Sequence, residues 1–365
     1  MANSLRIGVL FNQPVTGEDA ALKLSGGNGN NGSHRSIPET TTVSSTQRMI
    51  DLSEIGVVEE MEDIRTALDE LGYVTSIMNV DSDVDRLYRY LRGERPDLVF
   101  NLVESIENES LLEMNVAGVY ELLKIPYTGA GAYALGTALN KPRTKEILTY
   151  YGIRTPRHLV VETGTEALLP PAMRFPCIVK PAREDASVGI ADDSVVESSA
   201  ELQRKVRYIH SEFKQPALVE EYIDGRELNI AILGNTPPAA LPISEIDFSG
   251  LAPGMRKIVS YEAKWIGGTV AYEGTRGVCP AQLPPALEAE MKATALRCFS
   301  LIGCRDYARV DVRLSRENVP YVLEVNPNPD ISADAGFARS SRAHGLTFAQ
   351  TIGKIVEVAL ARYGL

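Results

Sequence analysis

The chain has 365 residues, 44% of them hydrophobic, and a formal net charge of −11. That length calls for two or three hydrophobic cores rather than one, and the acidic balance argues against a nucleic-acid or anionic-membrane partner, which would draw on clustered Lys and Arg. No apolar run approaches the roughly 18–20 residues of a membrane span, and MANSLRIGVLFNQ lacks the ordered regions of a signal peptide, so a cytoplasmic protein is expected.

The first segment, LRIGVLF, reads as a buried strand, and Val58, Met61, Ile64, Leu68 and Leu71 then recur at helical spacing up to the stop signal Gly72. A strand (YVTSIMNV) follows, then a helix in DSDVDRLYRYLRG capped by Asp81 or Asp83, a strand in DLVFNLV and a helix across SLLEMNVAGVYELLK. This alternation predicts a parallel α/β sheet. Between the first strand and first helix lies a Gly-, Ser-, Asn- and Thr-rich insertion near residues 22–48, read either as a mobile lid or as an insertion with no role.

From about residue 128 the character changes. KPRTKEILTYYG is a basic helix, FPCIVKP a short strand, REDASVGIAD a polar loop and SAELQRKVRYIH a helix. PALVEEYIDGRELNIAIL reads as two strands joined by DGRE, followed by a long irregular stretch, a helix around LEAEMKATALRCFSLIG, a hairpin and a final helix from LTFAQTIGKIVEVAL. Cys177, Cys279, Cys298 and Cys304 show neither CxxC spacing nor nearby histidines, so they are expected to be buried thiols rather than zinc ligands or disulfides.

The hairpin carries the first chemical signal. In ARVDVRL, strand alternation places Arg309, Asp311 and Arg313 on one face; in YVLEVN, Glu324 and Asn326 oppose Leu323 and Val325. If the turn spans Arg316 to Val319, Asp311 lies across from Glu324 and Arg309 across from Asn326. Two opposed carboxylates repel unless positive charge sits between them. Arg309 supplies some, and carboxylate plus amide oxygen is also a donor set for a hard ion such as Mg²⁺. A solvated face with an ion pair accounts for the hairpin as well. Pro327 and Pro329 cannot donate to a ladder, so pairing ends just past Asn326.

Mg²⁺ with phosphate suggests a nucleotide, yet no GxxxxGK[ST] occurs, and the G-x-G-x-x-A match GAGAYA at 129–134 lies too late in the chain for a dinucleotide fingerprint. Lys180 ends an apolar strand before a loop in which Ser187 and Gly189 allow backbone N–H groups to approach an anion, and Lys141 opens a helix. Either lysine taken alone also reads as a surface residue.

The ordered set of a lysine, a lysine with a small-residue loop, EE-x-x-x-G-x-E, YEAK, R-x-D and E-x-N resembles the ATP-grasp superfamily, and within it the D-alanine:D-alanine ligase group. The resemblance runs from about YTGAGAYALGTALNK to the C-terminus. It implies an α/β protein, α+β towards the C-terminus, with a Rossmann-like unit over 1–127, a central ATP-grasp subdomain over 128–215 and a C-terminal one over 216–365. It further implies that Lys141 and Lys180 contact ATP phosphates under the loop 184–189, that Glu220, Glu221, Tyr222 and Ile223 meet the adenine, and that Glu227 meets the ribose. Lys264 would reach the terminal phosphates, Asp311, Glu324 and Asn326 would hold two Mg²⁺ ions, with Mn²⁺ as a substitute, and Arg309 would stabilise charge on the reacting acyl group. The implied reaction joins a small-molecule carboxylate to an amine through an acylphosphate, with loop 184–189 and the span 247–280 as candidates to exclude water. A homodimer is a further family expectation.

The match fails where the amino acid would bind. FNQPVTGEDA offers no equivalent of the family's N-terminal glutamate, Ala186 stands at a serine, Trp265 at a tyrosine, Ala335 at a further serine and Asp330 at a glycine. A substrate other than D-alanine is therefore expected, with Trp265, Asp330 and Asp334 as candidate substrate residues; some of the acids Asp330, Asp334, Glu245 and Asp247 are expected to receive a cationic amine, and solvated loop acids or helix caps account for them equally well. The alternatives are a divergent D-alanine:D-alanine ligase and a non-catalytic nucleotide-binding module.

Overall fold

The computed structural model describes residues 5–13, 45–80, 83–107 and 109–365, with side chains of 45–55 left aside. The expected insertion up to residue 44 lies outside the described residues, and its last four residues, 45–48, are helical.

The first sheet is parallel, ordered β2–β1–β3, from β1 (Arg6–Phe11), β2 (Val74–Asn79) and β3 (Leu98–Leu102). Alternate residues of β1 serve two cores, which is why its sequence is apolar throughout. Ile7, Val9 and Phe11 pack with Met61, Ile64 and Leu68 of α1 (Ser45–Glu70), while Leu10 packs with Leu87 and Leu91 of α2 (Val84–Gly93) and Val116 and Tyr120 of α3 (Glu113–Leu123). Of the expected helical stripe, Val58 is only half-buried and Leu71 is exposed; Val57 takes the buried place. Asp83 is the cap of α2, accepting the Arg86 N–H at 2.8 Å.

The second sheet is antiparallel, ordered β4–β7–β5–β6, from β4 (His158–Val161), β5 (Cys177–Pro181), β6 (Val195–Val196) and β7 (Ala217–Glu221). Helices α4 (Ala132–Leu139) and α5 (Lys141–Tyr150) lead into it, and α6 (Ser199–Glu212) buries Leu202, Val206 and Ile209 against its Cys177, Val179 and Val219.

The third sheet is antiparallel, ordered β11–β10–β8–β12–β13, with β9 (Ala239–Ala240) beside β8 (Gly225–Leu233). Its other strands are β10 (Ser244–Asp247), β11 (Arg276–Val278), β12 (Tyr307–Ser315) and β13 (Pro320–Asn326). The span expected to be irregular also holds the short helices α7 (Tyr261–Trp265) and α8 (Val270–Glu273). Helix α9 (Pro285–Ile302) packs Met291, Ala295 and Phe299 against Ile230, Val310 and Val312. Helices α10 (Gly336–Ala343) and α11 (Phe348–Tyr363) follow, and α11 returns to the first sheet, where Ile352, Ile355 and Val356 share the core of Ile7 and Val9. No helix among the described residues is long and apolar enough to cross a membrane.

Three local expectations are corrected. Strands β7 and β8, expected in one segment, lie in different sheets: β7 pairs with β4 and β5, whereas β8 pairs with β9, β10 and β12, so the third sheet begins after Glu221. The short link of Tyr222, Ile223 and Asp224 passes between sheets instead of turning back within one. In β13 a bulge opposite Asp311 and Val312 breaks the alternation, so Val322 and Val325 are buried and Leu323 is only half-buried. Cys279 is half-buried, its Sγ 3.5 Å from the Ile243 carbonyl; the other three thiols are buried, and all four are free.

Candidate active site

The expected pairing at the site is present, although the turn differs: Leu314 rather than Ser315 pairs with Pro320, and the bulge between Asp311 and Val312 restores the register. Arg309 pairs with Asn326 and Asp311 with Glu324, and β8 flanks β12 on its other side with Asn229 opposite Asp311. Arg309 grips Asp311 through two bonds of 2.8 Å, and Asn229 Nδ2 donates to Asp311 Oδ1 at 2.7 Å. Burial raises the Asp311 carboxyl despite Arg309, with Glu324 adding repulsion. Burial pushes the Glu324 carboxyl the same way, but Lys141, Lys180 and Arg309 bring it down to about 2. Asn326 Oδ1 accepts the Asn328 N–H at 3.0 Å, which closes the turn after the strand.

Lys141, at the start of α5, donates to the Glu184 carbonyl and to the Asp185 carboxylate, and its Nζ lies 3.7 Å from Glu324 Oε2. Asp185 thus sits against a lysine expected to hold phosphate. Lys180 closes β5 and reaches Glu220 Oε2 at 2.9 Å.

Glu220 is held from both sides: it is 1% exposed and its other oxygen lies 2.6 Å from Lys145 Nζ. Burial alone would raise this carboxyl, but Lys145 and Lys180 lower it to about 2. Lys145 was not singled out from the sequence, although it lies one turn past Lys141 on the same helix face. Glu221 accepts the Arg174 N–H at 3.1 Å, and the Tyr222 N–H donates to the Pro176 carbonyl at 3.0 Å, so this stretch with Ile223 forms the half-buried link between the second and third sheets. Glu227 pairs with Arg313 at 2.9 Å, and Arg313 lies 5.6 Å from the Tyr222 ring centroid. Arg313 was signalled by sharing the Asp311 face at strand spacing, whereas Asn229 meets Asp311 only through the β8–β12 ladder, which the sequence did not signal.

Loop 184–189 lies against α7. Ala186 and Ser187 both have positive φ (53° and 62°), and Gly189 follows at 78°. A Cβ on Gly189 would come within 2.8–2.9 Å of Pro181 and Phe213, so the glycine is required by space as well as by φ. Ser187 Oγ donates to the Val259 carbonyl at 2.9 Å, and Trp265 Nε1 donates to the Ala186 carbonyl at 2.9 Å. Lys264 stands 4.6 Å over the Trp265 ring.

The expected substrate acids divide into two groups. Glu245 is engaged by Arg226 through two bonds of 2.6 Å, and Asp247 accepts the Ser249 N–H at 2.9 Å. Asp330 accepts the Ser332 N–H at 3.0 Å and its hydroxyl at 2.6 Å, and that hydroxyl also lies 3.2 Å from Asp334. Beside this loop lie two acids missed from the sequence. Glu60 of α1, 5% exposed, accepts the Ile331 N–H at 2.8 Å, and Glu113 of α3 accepts Asn328 Nδ2 at 2.9 Å. Burial raises both carboxyls well above their ordinary value, and neighbouring acids raise them further. A glutamate inside the apolar stripe of Val57, Met61 and Ile64 was the available signal for Glu60.

The model of the D-ala D-ala ligase C-terminus matches residues 148–357, more than half of the chain. The chain belongs to the D-alanine:D-alanine ligase family. A protein of Sinorhizobium fredii, named there as uncharacterized protein y4sG, is 32% identical over 83% of this chain and 88% of its own length. The D-alanine–D-alanine ligase of Pelotomaculum thermopropionicum is 30% identical over 83% of this chain and 92% of its own. In fold, the D-alanine–D-alanine ligase of Bacillus anthracis, solved in complex with ATP, matches with a TM-score of 0.69 at 20% identity over 99% of both chains. The chain is thus an ATP-grasp enzyme of the C–N ligase kind, and its family supports ATP as the nucleotide.

Proposed function

We propose that this enzyme is an ATP- and Mg²⁺-dependent carboxylate–amine ligase whose substrates are not two molecules of D-alanine. The observation that carries the reading is the meeting of phosphate-type cations with metal-type acids at Lys141, whose Nζ lies 3.7 Å from Glu324 while Asp311 faces Glu324 across the ladder. Asp311, Glu324 and Asn326 offer two carboxylates and an amide oxygen, a donor set that fits a hard cation sharing its shell with phosphate. Two Mg²⁺ ions held there, or Mn²⁺ in their place, would neutralise charge on the transferring phosphoryl group. Lys141 and Lys180 hold the ATP phosphates, Glu221 to Ile223 border the adenine, Glu227 takes the ribose and Lys264 reaches the terminal phosphate.

A substrate carboxylate oxygen attacks the γ-phosphorus and ADP leaves, forming an acylphosphate. An amine nitrogen then attacks the acyl carbon, inorganic phosphate departs, and the nitrogen loses its proton to solvent. The lysines position the phosphates, which is most of what phosphoryl transfer asks of a protein. Arg309 faces the oxyanion of the second step, and loop 184–189, clipped by Trp265, keeps water from the acylphosphate.

Glu60, Glu113 and Asp330 form no ion pair among the described residues, so an amine carrying a second positive charge suits this side of the site better than alanine does. D-alanine ligation itself is the second reading, supported by the names of the relatives and opposed by Ala186, Trp265 and Ala335. The test is ADP release with amino acids and diamines, singly and in pairs, with products weighed by mass spectrometry. ADP formation that depends on both a carboxylate and a diamine is expected. D-alanyl-D-alanine as the preferred product selects the second reading, and no ADP with any pair removes both.

A further inference from the structure

We infer that Lys145 is a positioning residue for Lys180: by holding one oxygen of Glu220, it leaves Lys180 on the other oxygen alone and directed at the nucleotide phosphates. The inference rests on the proposed nucleotide role of Lys180.

The three side chains come from α5, β5 and β7 and meet below the surface of the site. Lys145 Nζ is 2.6 Å from Glu220 Oε1, and Lys180 Nζ is 2.9 Å from Glu220 Oε2. Lys145 is anchored from behind by Thr155 Oγ1 at 2.8 Å. The two lysines differ in what they can reach. Lys145 and Glu220 side chains are each 1% exposed, whereas that of Lys180 is 9% exposed, so any effect of Lys145 on a ligand passes through the other two.

Charge explains why two lysines are needed. A single lysine on a buried carboxylate forms a neutral pair in which attraction is strong, and little of its charge is left for a phosphate. Two lysines on one carboxylate leave a net positive charge, and the more exposed lysine carries it to the site. Lys180 spends one N–H on Glu220 and keeps two for phosphate oxygens. In support, burial lowers the Lys145 ammonium to about 8 even though Glu220 opposes that shift. Lys145 is thus held in an unfavourable place by the shared carboxylate rather than by solvent.

Titration calorimetry on the full chain tests the inference with MgADP and adenosine as probes. Lys145→Met is expected to weaken MgADP binding at least about tenfold, the loss of roughly one charge-assisted contact, with adenosine unchanged. Lys145→Arg should restore MgADP to within about threefold of the native value, because a guanidinium can hold the same oxygen. A folded Lys145→Met with native MgADP affinity overturns the inference, and so does an equal loss for adenosine and MgADP. If that variant does not fold, Thr155→Val removes the anchor instead, and native MgADP affinity there overturns it as well. Failure of the native chain to bind MgADP would sink the nucleotide role of Lys180 itself, a result distinct from native binding that ignores Lys145.

Discussion

Asp311 stands directly opposite Glu324 across the β12–β13 ladder, two buried-side carboxylates in one register with Arg309 bonded to the first of them. Like charges so placed are costly without a cation. Asp311→Asn and Glu324→Gln are therefore expected to lower ADP formation by about a hundredfold or more while leaving the metal-free chain folded. Turnover measured against Mg²⁺ concentration checks this, and chelation of the metal should silence the native enzyme. Undiminished turnover in both variants would remove these residues from the mechanism.

Trp265 Nε1 and the Ala186 carbonyl, 2.9 Å apart, connect α7 to the phosphate loop. Trp265→Phe keeps the ring beneath Lys264 but removes the donor. Stability should fall by no more than about 1.5 kcal/mol. The ratio of ADP released to amide product formed should rise, because water reaches the acylphosphate. An unaltered ratio would show that this bond does not govern closure.

Glu220 links stability to acid. Its folded value of about 2 lies below the ordinary 4.5, so the charged form is favoured in the fold. The resulting stabilisation is fully present above pH 4.5 and is lost as pH falls towards 2, with a magnitude on the order of 3 kcal/mol. Urea midpoints of the native chain should fall steeply across that window. The Glu220→Gln/Lys145→Met double variant should show a flatter profile, and an identical slope would assign the acid lability elsewhere.

Gly225 begins β8 where a Cβ would lie 1.9 Å from the Leu314 carbonyl oxygen of β12. Backbone cannot yield as a flexible side chain does. Gly225→Ala should cost about 1–3 kcal/mol and lower the unfolding midpoint, as strain rather than cavity formation. A native midpoint would mean that the strand pair shifts without penalty.

Local pattern was legible along the chain itself. Strand alternation put Arg309 with Asp311 and Glu324 with Asn326 on shared faces, because side chains alternate over neighbouring residues, whereas their pairing across the hairpin also needed the bulge that offsets the turn. Glycine and proline marked the loop at 184–189 and the end of β13. The bulge that demotes Leu323 escaped, since an extra residue in one strand leaves no mark in its apolar pattern. Tertiary structure decided the rest. β7 joined the second sheet, which made Glu220 a buried post between Lys145 and Lys180. Glu60 and Glu113 met the loop after Asn326 from helices more than two hundred residues earlier. Such meetings are set by how sheets and helices stack, and the electrostatics of a buried charge depend on partners that no short window of sequence contains.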